Sequence, residues 1–313
     1  GYGNGYQISY MNSGKMTNKG WEFRVDAVPF QNKDWRVGVY FNIAHNENKI
    51  TEMPDNYIEE NYTFGNGNYA YRREEGRPMG SFYGYRYKGV YQNKDATYAR
   101  DIEGNVMKDI SGNAIVMRNG SYTVAPGDAI YEDVNHDGVI NQYDIVYLGN
   151  SNPRLTGGAG LNVSYKQFKL SAIFYGRYGQ DVVNATRLNN ESMRGIDNQS
   201  TAVLRRWRNE GDQTDIPRAL YGEGYNTLGS DRFVEDASYL RLKSLSFTYR
   251  LPKKAIQRWG FNNIDVYVTG YNLFTWTKYT GQDPEVKTEN TYARDTATTP
   301  ASIQLVAGFN LSF

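Results

Sequence analysis

The sequence predicts an all-β chain: an antiparallel transmembrane β-barrel wall of about ten strands with long extracellular loops. Three observations predict it: strict alternation in the closing segment, further alternating segments upstream, and connections that switch regularly between short and long. From Ala301 to Phe313, Ile303, Leu305, Ala307, Phe309, Leu311 and Phe313 share one parity. Ser302, Gln304, Gly308, Asn310 and Ser312 share the other, and Val306 is the exception. Successive side chains of a strand point to opposite faces, so this segment has one apolar and one polar face. In a transmembrane barrel the apolar face meets lipid and the polar face a wet lumen. Ile303, Leu305, Phe309, Leu311 and Phe313 are then the residues of a C-terminal barrel-assembly strand. Taken alone, the segment also suits the edge of a soluble β-sandwich.

The upstream elements follow in order. Lys19–Phe30 sets Trp21, Phe23, Val25 and Ala27 against Glu22, Arg24 and Asp26. Asp34–Asn46 sets Trp35, Val37, Val39, Phe41 and Ile43 against Arg36, Gly38, Tyr40 and Asn42. The Gln31-Asn32-Lys33 turn joins them as a hairpin. A second hairpin is expected from Asn68–Glu75 and Met79–Tyr91 around Gly76-Arg77-Pro78. A third comes from Leu155–Tyr165 and Phe168–Tyr178 around Lys166-Gln167, and a fourth from Asp236–Leu251 and Ile264–Trp276 through Pro252–Asn263. A weak strand near Gly5–Met11 and the closing strand complete the set. Most approach the length that crosses an outer membrane at the usual tilt.

The connections at 31–33, 76–78, 166–167 and 252–263 are short, and those at about 47–67, 92–154, 180–235 and 277–300 are long. Transmembrane barrels have short periplasmic turns and long outside loops. Each short turn is therefore assigned to the periplasm and each long loop to the outside, whereas a sandwich has no reason to sort loop length by parity.

Bulk properties agree. Tyr (28 residues) and Gly (32) are heavily used, which suits strands and turns. The formal net charge of +1 gives no argument for a nucleic-acid partner. There is no cysteine, so disulfide and thiolate chemistry is excluded. No apolar run is long enough for a membrane-spanning helix. The mean hydropathy of −0.70 is uninformative for a barrel, half of whose strand residues face water. The sequence opens within a Gly/Tyr/Asn-rich stretch without initiator Met or signal peptide, and reads as the C-terminal part of something longer.

One motif points to a ligand. Asp133 to Asp144 fits the twelve-residue calcium loop, with Asp133, Asn135, Asp137, Asn141 and Asp144 as side-chain ligands, Gly138 for the turn, and Val139 offering its carbonyl. Asp144 replaces the usual bidentate Glu, which weakens affinity or specificity. A metal-free Asx-rich turn is the alternative, and the role expected of Ca²⁺ is to stiffen the loop. No organic cofactor is indicated. His45 and His136 have no triad or zinc spacing, and Glu59-Glu60 and Glu74-Glu75 are ordinary surface charges. Ser200–Asn209 reads as a short helix whose Arg205, Arg206 and Arg208 form a solvated basic face or, as the alternative, meet an anion or a partner. Tyr57, Tyr62, Tyr69, Tyr71, Tyr221, Tyr225 and Tyr292 fall in outer segments, where rings suit sugar or peptide contacts as well as interface girdles. No nucleophile or acid–base cluster suggests an enzyme.

Many short stretches in order resemble the C-terminal barrel region of the SusC-like (RagA-like) TonB-dependent outer-membrane transporters of Bacteroidetes. They are Asn18-Lys19-Gly20-Trp21-Glu22, Gly80-Ser81-Phe82-Tyr83-Gly84, Tyr131–Asp144, Gly149-Asn150 with Asn152-Pro153, and Trp207 with Thr214–Arg218. Ala237–Lys243, Leu251-Pro252, Gly270–Phe274 and Gly281–Glu285 continue the series. The resemblance implies a barrel of about 22 strands around an N-terminal plug that is not in this chain. It also implies energised import through TonB–ExbB–ExbD, a SusD-like surface lipoprotein as partner, and a glycan or oligopeptide as cargo. The expected function is thus active import of a bulky nutrient across the bacterial outer membrane, with unknown ligand-contacting residues. Two rivals stay open: a secreted, calcium-stabilised β-sandwich that binds carbohydrate, and a passive porin.

Overall fold

The computed structural model describes residues 14–53, 67–70, 72–286, 288–289 and 292–313. Seven long strands pair antiparallel in chain order as a single meander. They are β1 (Lys15–Gln31), β2 (Trp35–Glu52), β3 (Leu155–Tyr165), β4 (Phe168–Tyr178), β5 (Tyr239–Arg250), β6 (Asn263–Thr277) and β7 (Gln304–Ser312).

The register explains why these segments form one wall. Directly opposed residues share a face. One row across β2 to β7 reads Val37, Val163, Leu170, Phe247, Val268, Ala307. The adjacent row reads Arg36, Ser164, Lys169, Thr248, Tyr267, Gly308. Every strand therefore sends its apolar parity to the same side, and a slip of one residue in any pairing would break both rows. The apolar side is left uncovered: Trp21 is 51% and Phe309 67% exposed, and Trp35 and Phe247 are also exposed. A continuous apolar sheet face of this extent is far more than a soluble monomer leaves bare, and it matches contact with hydrocarbon. Among the described residues no second sheet packs on it, which speaks against the β-sandwich reading. No helix among the described residues is long and apolar enough to cross a membrane.

One expected hairpin is corrected. Asn68–Glu75 and Met79–Tyr91 are not wall strands. Among the described residues the strands within them are Ser81–Gly84 and Tyr87–Val90, which pair with Val146–Asn150 and Ala129–Tyr131. Ser81, Phe82, Tyr83 and Gly84 are all buried, so neither face of this strand is free to meet lipid or lumen. The Gly76-Arg77-Pro78 turn folds back on the far end of β2, where Ile50 N donates to Arg77 O and Gly76 N to Ile50 O. It lies on the long-loop edge, not the short-turn edge. The described residues thus give seven wall strands in place of about ten; the expected strand at Gly5–Met11 lies outside them. Loop parity survives, because the lost hairpin merges two long connections. The short links are 32–34, 166–167 and 251–262, and the long ones 53–154, 179–238 and 278–303.

In an antiparallel meander alternate connections share an edge, so the three long loops meet at one rim and pack into a cap. Most buried apolar side chains lie there. The largest cluster is built on tyrosines, with the Tyr131 ring 5.6 Å from Tyr85 and edge-on to Tyr225 at 5.4 Å. A four-stranded sheet runs across the second and third long loops, with Asp181–Asn184 between Val234–Asp236 and Tyr292–Asp295, and Thr288–Glu289 beyond.

Candidate functional site

The cap is held by three ionic joints, each between segments distant in sequence. In the first, the fully buried Asp128 accepts from Arg218 Nε (2.7 Å), Tyr122 Oη (2.7 Å) and Asn226 Nδ2 (3.1 Å). Arg218 N donates to Gly127 O at 2.7 Å and Trp207 N to Ile216 O at 2.9 Å, with the Trp207 ring laid on Gly127. Only glycine fits there: its φ is +88° and a Cβ would collide with the indole. The Trp207 and Thr214–Arg218 stretches are thus the clasp that fastens the 179–238 loop to the 53–154 loop.

In the second joint, Glu191 accepts from Arg187 (2.9 Å) and Arg232 (2.8 Å), and Glu235 from Arg187 (3.2 Å). Thr280 N donates to Glu235 at 2.9 Å, which brings in the 278–303 loop. The third joint fixes that loop to the wall. Arg241 on β5, 2% exposed, donates to Asp283, to Glu285 (2.8 Å) and to Thr275 on β6 (2.8 Å). Lys243 also reaches Glu285, at 2.8 Å. Burial pushes the Asp283 carboxyl up, but amide donors at Ala301 and Glu285 and the Arg241 guanidinium outweigh it, leaving Asp283 below the usual carboxylate range. Two stretches separated in the sequence, Arg241–Lys243 and Gly281–Glu285, are therefore partners in space.

Where the three long loops meet there is a polar recess of about 630 Å³. Gly67 comes from the first loop, Leu188 to Asn198 and Tyr221-Gly222 from the second, and Arg294 from the third. Its side chains include Asn189, Asn190, Asn198, Asp197 and Arg294, and Tyr221 is 78% exposed. Of these the sequence singled out only Tyr221, as a tyrosine of an outer segment; the Asn residues, Asp197 and Arg294 carried no motif.

The calcium-loop residues are brought together by the turn itself. Asp133 Oδ2 accepts from Gly138 N (2.8 Å), Asp137 Oδ1 from Val139 N (2.8 Å), and Asp144 from both Val134 N and Asn141 N (2.8 Å each). Asn135 accepts from Asp137 N at 3.3 Å, and Asn141 Oδ1 caps the following turn at Tyr143 N. The Val139 carbonyl accepts from Asn141 Nδ2 at 3.1 Å. Burial pushes the Asp144 carboxyl above its usual range; its two amide donors oppose this, and the charges of Asp133 and Asp137 add to it. Among the described residues no group of three or more His, Cys, Asp or Glu side chains forms a ready cage for a metal ion.

The closing segment lies as expected. Leu305, Phe309 and Leu311 are on β7, Ile303 and Phe313 flank it, and all five are exposed on the apolar side. The outer tyrosines divide: Tyr69 and Tyr225 are core, Tyr292 is partly buried against Phe82, and Tyr221 is outward. Tyr57, Tyr62 and Tyr71, like Glu59-Glu60, lie outside the described residues. The expected helix at Ser200–Asn209 is a 3-10 segment, Thr201–Arg205, capped by Ser200.

Comparison with known proteins now bears on this geometry. No protein-family model matches the chain. It is 32% identical over 293 residues to TonB-dependent receptor P3 of Formosa agariphila, covering 91% of this chain and 27% of that protein. It is 28% identical over 311 residues to TonB-dependent receptor SusC of Bacteroides thetaiotaomicron, covering 96% of this chain and 27% of that one. Among solved structures, the RagAB peptide transporter superposes over the whole chain with a TM-score of 0.73 at 28% identity, matching 31% of its own chain. The chain is a SusC- and RagA-like barrel portion. It spans only about a quarter to a third of the relatives it matches. Those relatives are receptors and transporters, not enzymes.

Proposed function

We propose that this SusC/RagA-like wall and cap form the C-terminal part of an outer-membrane importer that takes up a bulky hydrophilic nutrient, glycan or oligopeptide, with energy from TonB–ExbB–ExbD. The observation that carries the reading is the two-sided sheet: one face apolar and bare, the other polar, with a structured cap along a single rim. A wall of this kind lines a passage, and a cap fastened by ionic joints offers a shaped surface to cargo at its mouth. The long loops lie on the extracellular side, where a SusD-like lipoprotein covers them. The plug that couples to TonB belongs to another part of the protein.

Uptake of labelled cargo by cells carrying the full-length protein tests this reading. Uptake should need the inner-membrane motor and fall to background when TonB is deleted. Uptake indifferent to TonB would make the protein a passive porin.

The 133–144 loop is proposed to take Ca²⁺, with Asp133, Asp137 and Asp144 supplying charge and Asn135, Asn141 and the Val139 carbonyl completing the oxygen set. Support comes from the spacing and from the turn itself, onto whose backbone amides the Asp133, Asp137 and Asp144 carboxylates fold. Hydrogen exchange of residues 92–154 with and without chelator is the check. Identical exchange would remove the assignment.

A further inference from the structure

Many buried polar side chains of the cap are hydrogen-bonded within the fold, as Asp128, Asn184 and Glu191 illustrate. The recess between the three loops differs. Among the described residues, the side chains of Asn189, Asn190, Asn198, Asp197 and Arg294 have no hydrogen-bond or ion-pair partner, although they gather around one space. All five are exposed, which leaves their polar groups open to solvent or to a ligand in the recess.

We propose that the recess is a cargo subsite that reads the hydroxyl groups of a sugar chain and not the apolar side chains of a peptide. The proposal rests on the importer reading above and names the cargo class of that cap. A carboxamide both donates and accepts, as a sugar hydroxyl does, so three of them can serve neighbouring hydroxyls whichever way each O–H points. Arg294 adds fixed donors and Asp197 fixed acceptors to that set. The exposed Tyr221 ring supplies a flat apolar face of the kind that stacks on the C–H face of a pyranose. Among the described residues Leu188 is the one aliphatic side chain in the lining, and Gly67, Gly195 and Gly222 carry no side chain there. Among the described residues the lining holds no apolar anchor of the sort that seats a Leu or Phe side chain. The volume suits a short stretch of chain, as small-molecule sites do.

The test uses the purified full-length protein and two immobilised probe sets, neutral oligosaccharides of mixed linkage and a random heptapeptide pool. We expect retention of oligosaccharides, weakened about tenfold or more when Asn189, Asn190 and Asn198 are all changed to Ala, since three hydrogen-bonding groups are lost together. Tyr221→Ala should weaken retention and Tyr221→Phe preserve it; Asn209→Ala, outside the recess, is the control. These side chains are exposed and unpartnered, so the variants should fold. Peptide retention that depends on the recess would overturn the sugar assignment and leave the importer intact. Oligosaccharide retention unchanged in the triple variant would overturn the subsite. Retention of neither set by folded protein would overturn the subsite, while the TonB dependence of uptake decides the importer reading separately.

Discussion

Replacing Arg241 by Met should release the 278–303 loop from the wall without opening the wall. The guanidinium is buried and serves three partners: Asp283, Glu285 and Thr275. Removing one member of a buried ion network typically costs about 3–5 kcal/mol, mostly because the remaining charge is stranded. Two features favour the low end. The Asp283 and Glu285 side chains keep 16% and 28% of their exposure, and Lys243 still serves Glu285. Asp283 is the group left stranded, with only the amides of Glu285 and Ala301. An estimate of about 3 kcal/mol follows, and at about 1.4 kcal/mol per factor of ten this is roughly a hundredfold gain in loop opening. Amide hydrogen exchange of the full-length protein reads it directly: Glu285 and Ala301 should lose protection while β5 and β6 keep theirs. Arg241→Lys should fall between, since a point charge cannot reproduce the planar fork. Unchanged exchange at those two amides, or equal loss through β5 and β6, would refute the anchoring role.

Three further outcomes are expected. The Asp283 carboxyl is held below its unfolded value, so its contribution is complete above the usual carboxylate pKa of about 3.9 and is lost as pH falls through the lower folded value. Protection of the 278–303 loop should accordingly be flat from neutral pH to about 4 and fall only below; loss between about pH 5 and 7 would point to another group. Gly127→Ala forces a side chain at φ +88° into the Trp207 ring and should cost about 2 kcal/mol or more, read as new protease cleavage in the 179–238 loop. Phe309→Arg on the apolar face should impair folding into bilayers by about 2–4 kcal/mol, whereas Asn310→Arg on the other face should cost little. Equal costs at these neighbours would undo the assignment of faces.

The wall was legible because its physics is local. Along β3 and β4 the alternation runs flush to Lys166-Gln167, so both strand ends and the register follow from period and turn alone. The segment from Ser81 to Val90 shows where that reasoning stops. Its alternation of Phe82, Gly84 and Arg86 with Tyr83, Tyr85 and Tyr87 is genuine strand periodicity, but periodicity does not say what covers each face. Here the cap covers both at Ser81–Gly84, and the exposed rim tyrosines expected from the sequence become core at Tyr69 and Tyr225. The recess was invisible for a different reason. Gly67, Asn189 and Arg294 share no sequence window, and only the meander, by putting alternate loops on one rim, makes them neighbours.

That same topology decides what cargo can influence. The first joint ties the 53–154 loop to the 179–238 loop, the second ties the latter to the 278–303 loop, and the third ties the last to β5 and β6. The recess takes residues from all three loops, so it cannot change shape without strain at one of these joints. A buried ionic joint resists small displacement yet breaks as a unit, because a half-satisfied charge in a dry site is the least stable arrangement available. Cargo in the recess would therefore act on a cap with a few discrete arrangements, and the joint nearest the wall, at Arg241, is where such a change would reach the passage.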